Sequence, residues 1–169
     1  MDWGVFAVQW IHVFLGIFWF GAVLSVNFII IPGVNKMEFA KQRDAVRSIA
    51  STAAKVITPI SGLVILFGFL RGTLFGQVKS FDTLTTPYGL VWAFSLLLAI
   101  GLFFWGILLV AGGSNRFFAD DAAWESTDGK PNAVYARHMS GLRTVGMLEL
   151  LGFLVLFTCM ILMRFGVSF

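Results

Sequence analysis

The stretch that decides the fold runs from Trp3 to Asn35: WGVFAVQWIHVFLGIFWFGAVLSVNFIIIPGVN. It contains no Asp, Glu, Lys or Arg. A helix that crosses the hydrocarbon core of a bilayer needs about 20 apolar residues in a row, and this run has residues to spare. No basic segment precedes it, so it reads as a retained span rather than a cleaved leader. The pattern then recurs along the chain. Span one is placed near 5–31 and stops at Pro32-Gly33. Span two covers about 53–76, with Lys55 at its start and Arg71 near its end. Span three covers about 87–112 and closes on Gly112-Gly113. Span four covers about 143–165, with Glu149 as its one acid. The runs are continuous and lack a period of two, which selects helices over a barrel. The expectation is an all-α integral membrane four-helix bundle, one membrane domain spanning 1–169.

Composition agrees. Of 169 residues, 58% are hydrophobic, 12% are charged and 19 are Phe; the mean hydropathy is +0.86. A water-soluble fold of this size cannot hide that much apolar surface. A soluble enzyme, a disordered chain and a nucleic-acid-binding module are excluded. The net charge of +3 then points to lipid headgroups, not nucleic acid. The single cysteine, Cys159, excludes an internal disulfide and a paired CxxC metal site. No P-loop, GxSxG or HExxH occurs, so nothing reads as a hydrolase or a nucleotide-driven pump. Whether the chain is an enzyme at all stays open.

The connections orient the bundle. Lys36, Lys41, Arg43, Arg47, Lys55, Arg116, Lys130, Arg137 and Arg143 fall on the side of loops 33–52 and 114–142. Only Arg71, Lys79 and Arg164 fall on the other. By the positive-inside rule the two loops are cytoplasmic and both termini lie outside. Met37, Phe39, Ala40, Val46 and Ile49 fit an amphipathic helix lying on the membrane surface. Loop 114–142 is the longest polar stretch, mixing Asp120, Asp121, Glu125 and Asp128 with basic residues. Gly21, Gly33, Asn35 and Lys36 recur at the same spacing as Gly101, Gly113, Asn115 and Arg116. That pattern suggests a tandem repeat of two helix hairpins.

His12 is the most informative residue. Polar side chains at such depth face the bundle interior. Helical spacing puts Gln9, His12, Gly16, Trp19, Val23 and Asn27 on one stripe, where Gly16 and Gly21 would admit a close neighbour or a flat cofactor beside Trp19. Met160 and Met163 of span four, with Cys159, lie at a similar depth; imidazole and thioether together suit Cu(I) or the axial positions of a haem iron. The plain alternative is a histidine hydrogen-bonded to a neighbouring helix, with methionines filling gaps. Glu149 reads either as part of a structural ion pair with Arg143 or Lys55 or as a relay for protons or ions. Gly68, Gly72 and Gly76 form a small-xxx-small run suited to helix packing.

Taken together, His12, Trp19-Phe20-Gly21, the exit proline, Thr86-Pro87-Tyr88-Gly89, Asn115-Arg116, and Leu142-Arg143 followed by Glu149 form a recognisable pattern. It resembles the four-helix unit of the copper-resistance protein D (CopD-like) membrane family. More distantly, it is similar to the HemJ-type membrane protoporphyrinogen oxidases. The resemblance covers all four spans and implies a membrane bundle that handles copper or binds b-type haem, with His12 in the place of the first-span histidine. It also implies a multi-pass protein of the cell's inner (plasma) membrane. Those families often carry a lysine shortly after the Tyr-Gly; here the stretch reads Leu90-Val91-Trp92-Ala93-Phe94, which speaks against the oxidase activity. Span three has no histidine either, which speaks against a haem held by two histidines of one chain.

Three functions follow as expectations. The first is copper handling through His12, Met160 and Met163 near the outer face. The second is a haem b electron-transfer subunit with His12 as an axial ligand. The third is a structural subunit of a larger respiratory or photosynthetic complex. All three imply a lipid bilayer and a homo-oligomer or other membrane subunits as partners.

Overall fold

The computed structural model describes residues 2–125 and 129–166; Asp128 falls outside them. Four helices are long and apolar enough to cross a membrane: α1 (Trp3–Val34), α2 (Phe39–Gly72), α3 (Pro87–Ala119) and α4 (Ala133–Phe165). There is no β-strand among the described residues. The chain is an all-α, multi-pass membrane bundle.

Local chemistry sets where the helices start. Asp2 Oδ1 accepts hydrogen bonds from the backbone N–H of Gly4 and Val5 at 2.9 and 3.2 Å. Thr86 Oγ1 accepts from Gly89 N–H at 3.1 Å, with Pro87 in the first turn of α3. Asn132 Oδ1 accepts from Tyr135 N–H at 2.9 Å. Each side chain satisfies amide donors that a helix start leaves free. Gly89 has a second role: a Cβ there would fall 1.9 Å from Thr83 O, because the 3-10 turn Asp82–Thr85 folds onto the start of α3.

Several helix bounds differ from the sequence reading. Span one, read as stopping around Pro32-Gly33, ends one residue later. A π-helical segment, Val26–Ile30, precedes Pro32, and the helix runs on to Val34. Proline removes an N–H and crowds the carbonyl four residues back; the wider π turn, bonding five residues back, absorbs both. The amphipathic segment of 33–52 does not lie on the surface as a separate helix. From Phe39 it is continuous with span two as one 34-residue helix, about 51 Å long against a hydrocarbon core of about 30 Å. No residue between Phe39 and the membrane breaks it, and its end is Gly72, not Gly76. Helices α3 and α4 likewise extend to Ala119 and back to Ala133, so much of the polar loop 114–142 is helix.

The helices form an antiparallel ring. Gln9 and His12 of α1 meet Arg71 and Val64 of α2. Asn27 meets Gly146 of α4, and Leu102 of α3 meets Gly152 of α4. Trp105 Nε1–H donates to Val145 O at 3.2 Å, tying α3 to α4. The membrane core gathers Trp19, Val23, Val64, Leu102, Leu150, Phe153 and Leu156. Trp19 meets Phe153 edge to face at 4.9 Å between ring centroids, and Phe20 meets Phe157 at 4.7 Å, geometries that aromatic quadrupoles favour. Phe14, Ile17, Leu97, Leu108, Leu151 and Leu154 point outward, where acyl chains are their solvent.

Beyond the basic end of the spans a second core forms from Phe39, Phe117, Phe118, Ala123 and Tyr135, with Trp124 packed on it. Trp124 Nε1–H donates to Phe117 O at 2.9 Å, and Tyr135 O–H donates to Gln42 Oε1 at 2.8 Å. Arg43 pairs with Asp121 at 2.7 Å, and His138 with Asp120 at 2.9 Å. Arg43, one of the charges counted from the sequence, therefore sits on a folded aromatic cap.

Candidate functional site

Two regions hold the polar groups of the spans. The first surrounds His12. Its Nδ1–H donates to the Val64 carbonyl of α2 at 3.0 Å. A carbonyl can only accept, so Nδ1 carries a proton, and in the neutral ring the lone pair is on Nε2. The imidazole lies over Gly68, where an added Cβ would come within 2.9 Å of Cε1. Gly72, one turn on, receives the indole of Trp92; a Cβ there would fall 1.9 Å from Nε1. The Gly68 and Gly72 positions thus accept side chains from α1 and α3 rather than a bare helix backbone. Nearby, Arg71 donates to Gln9 Oε1 at 2.8 Å.

The other residues named for a metal are placed as follows. Trp19 is buried against Phe153 in the membrane core. Met160 is half-buried against that core, Met163 is half-buried one turn farther along α4, and Cys159 is buried and free. The near neighbours of the imidazole are Val64 and Gly68. Among the described residues no group of three His, Cys, Asp or Glu is arranged to hold a metal ion.

The second region is a cavity of about 740 Å³ between all four helices, running from Trp19 to the aromatic cap. Its walls are largely apolar, including Val23, Ile57, Leu102 and Ile107. Its polar lining includes Asn27, Ser61 and Glu149, and toward the basic end Arg43, Arg47 and Asn115. Two π-helical segments border it, Val26–Ile30 in α1 and Gly106–Ala111 in α3. They start eighty residues apart, at Val26 and Gly106, the same offset that separates Gly21 from Gly101 and Asn35 from Asn115. The repeated spacing in the sequence is thus accompanied by a repeated backbone irregularity. Each π turn rotates the residues after it relative to an α-helix, and such turns are common where a helix lines a site.

Glu149 is the exceptional group. Its residue is 5% exposed, and Oε1 lies against Gly106, 3.4 Å from where a Cβ would stand. The ion pair read from the sequence does not form. Arg143 and Lys55 are both exposed, and neither contributes to the three ion pairs found among the described residues. Long basic side chains at a span's end extend toward water, whereas Glu149 turns inward. Asn27 packs against Gly146, where a Cβ would sit 2.4 Å from its Oδ1, and its Nδ2–H donates to Val23 O at 2.9 Å.

Glu149 is legible in the sequence as the one acid of span four, and Asn27 as the last polar residue of the His12 stripe. Ser61, Gly106 and Gly146 carry no such signal. Comparison with family models, with characterised proteins and with solved structures returns no match to this chain.

Proposed function

We propose that this chain is a membrane-embedded binding protein that holds a small apolar or amphipathic molecule in the cavity between its four helices. One observation carries the reading: a buried carboxylate without an ion-pair partner stands in the wall of a 740 Å³ cavity. Ionisable groups inside spans are expensive and mark ligand or ion paths. Small-molecule sites are apolar hollows of about 300–1,000 Å³ with a few placed polar groups. The charge asymmetry supports an orientation with the cavity toward the cytoplasm. The test is equilibrium binding of an apolar fluorophore to the protein in nanodiscs. Gly106→Trp, which fills the space beside Glu149, abolishes binding in this reading; unchanged binding overturns it.

A second reading rests on His12. Histidines that bind metal commonly donate their other ring N–H to a carbonyl, which is the bond to Val64. Nε2, without a hydrogen-bond partner among the described residues, is then the free donor for a copper ion or haem b, as the CopD-like resemblance implies. Residues that would complete such a site are Met160 and Met163, with Trp19 beside it. An absorption spectrum and metal analysis of wild type and His12→Ala test this. A Soret band or stoichiometric copper that disappears in the variant supports it. Neither signal, together with co-purifying membrane subunits, returns the chain to a structural role.

A further inference from the structure

The polar groups deep in the cavity share one chemical property. Asn27 spends a side-chain donor on Val23 O at 2.9 Å, which fixes Nδ2 on that side and leaves Oδ1 as an acceptor. Ser61, 3% exposed, spends its hydroxyl proton on Thr58 O at 2.9 Å, leaving only lone pairs. Glu149, when ionised, accepts and cannot donate. Asn27 and Ser61 each turn a donor into their own helix, and Glu149, when ionised, carries the negative charge. All three line the same cavity.

The cations of the cavity are elsewhere. Arg43, toward the basic end, gives Nη2 to Asp121 and to the Phe118 carbonyl, and its Nε is buried without a hydrogen-bond partner among the described residues. Arg47 is exposed at the same end. The inner end of the cavity therefore sets the Glu149 carboxyl group among apolar walls formed by Trp19, Val23, Leu102 and Ile57.

We infer that the inner cavity recognises the protonated amine of an amphiphile, with Glu149 as counter-ion and the apolar walls holding its hydrocarbon part. The inference rests on the proposed cavity site and adds the class of ligand. A neutral or anionic headgroup would leave the carboxylate uncompensated, which a low-dielectric site penalises. An ammonium supplies three donors and neutralises the charge in one step.

The experiment uses the full chain in nanodiscs of zwitterionic lipid. Binding of a tritiated long-chain alkylamine is competed by the alcohol and by the sulfate of the same chain length. The amine binds at least about tenfold more tightly than the alcohol, the range expected for a charge-assisted hydrogen bond. Glu149→Gln removes that advantage and leaves alcohol binding unchanged. Equal binding of all three probes, blocked by Gly106→Trp, overturns the inference while the cavity site stands. Preference for the sulfate overturns it as well, and moves recognition to the arginines. Binding that Gly106→Trp does not touch overturns both. Should Glu149→Gln fail to fold, the order of the three probes on wild type decides alone.

Discussion

The His12 region and the Glu149 region treat buried polarity and glycine in opposite ways. Around His12, the imidazole is bonded to Val64 O and seated on Gly68, and Gly72 is occupied by the indole of Trp92. The recesses at Gly68 and Gly72 are each filled by a neighbour's side chain. Around Glu149, Gly146 receives Asn27 but Gly106 borders a cavity, two helices carry π turns, and the carboxylate has no ion-pair partner among the described residues. Small residues in a membrane helix thus serve two ends. They let a neighbour approach closely, or they keep a space open. The first region is organised as packing and the second as a site.

The contrast is sharpest under substitution. Gly72→Val is the most damaging change: it drives two methyl groups into the Trp92 ring, and overpacking of this kind costs about 3 kcal/mol, measured as a lower midpoint of unfolding in detergent. Glu149→Leu has the opposite sign. It removes an unpaired acid from a span and stabilises the ligand-free protein by about 2 kcal/mol on insertion scales. A loss of stability there would mean that the carboxylate is satisfied within the chain, and the distinction between the regions would fail. Tyr135→Phe deletes the bond to Gln42 Oε1 in the aromatic cap and costs about 1 kcal/mol, seen as faster proteolysis at the basic end. The smallest effect belongs to Lys55→Ala and Arg143→Ala, each within about 0.5 kcal/mol of wild type. A larger drop in either would restore the ion pair with Glu149.

The outcome for particular residues explains what could be read early. The spans were visible because hydropathy is a local property and the bilayer imposes a fixed length. Thr86, Pro87 and Asn132 mark helix starts through contacts within one turn. The π turn that accommodates Pro32 could not be read, because it depends on no residue type that announces itself. The surface helix expected over 33–52 fused with span two because amphipathicity reports which face is apolar, not whether the axis bends. Glu149 and the basic residues at the span ends have the right signs for a pair. A sequence does not reveal that Arg143 and Lys55 turn to the surface while the acid turns inward.

Sequence alone determined that this chain is helical, that it crosses a bilayer four times and that its basic residues gather at one end. Each of these follows from short-range composition acting against a solvent that cannot hydrogen-bond a bare backbone. Only the tertiary structure decided which buried polar groups are satisfied. Whether His12 finds a carbonyl and Glu149 finds a cavity depends on how four helices rotate against one another. That rotation is set by side chains far apart in the sequence: Trp19 on Phe153, His12 on Gly68, Trp92 on Gly72 and Asn27 on Gly146.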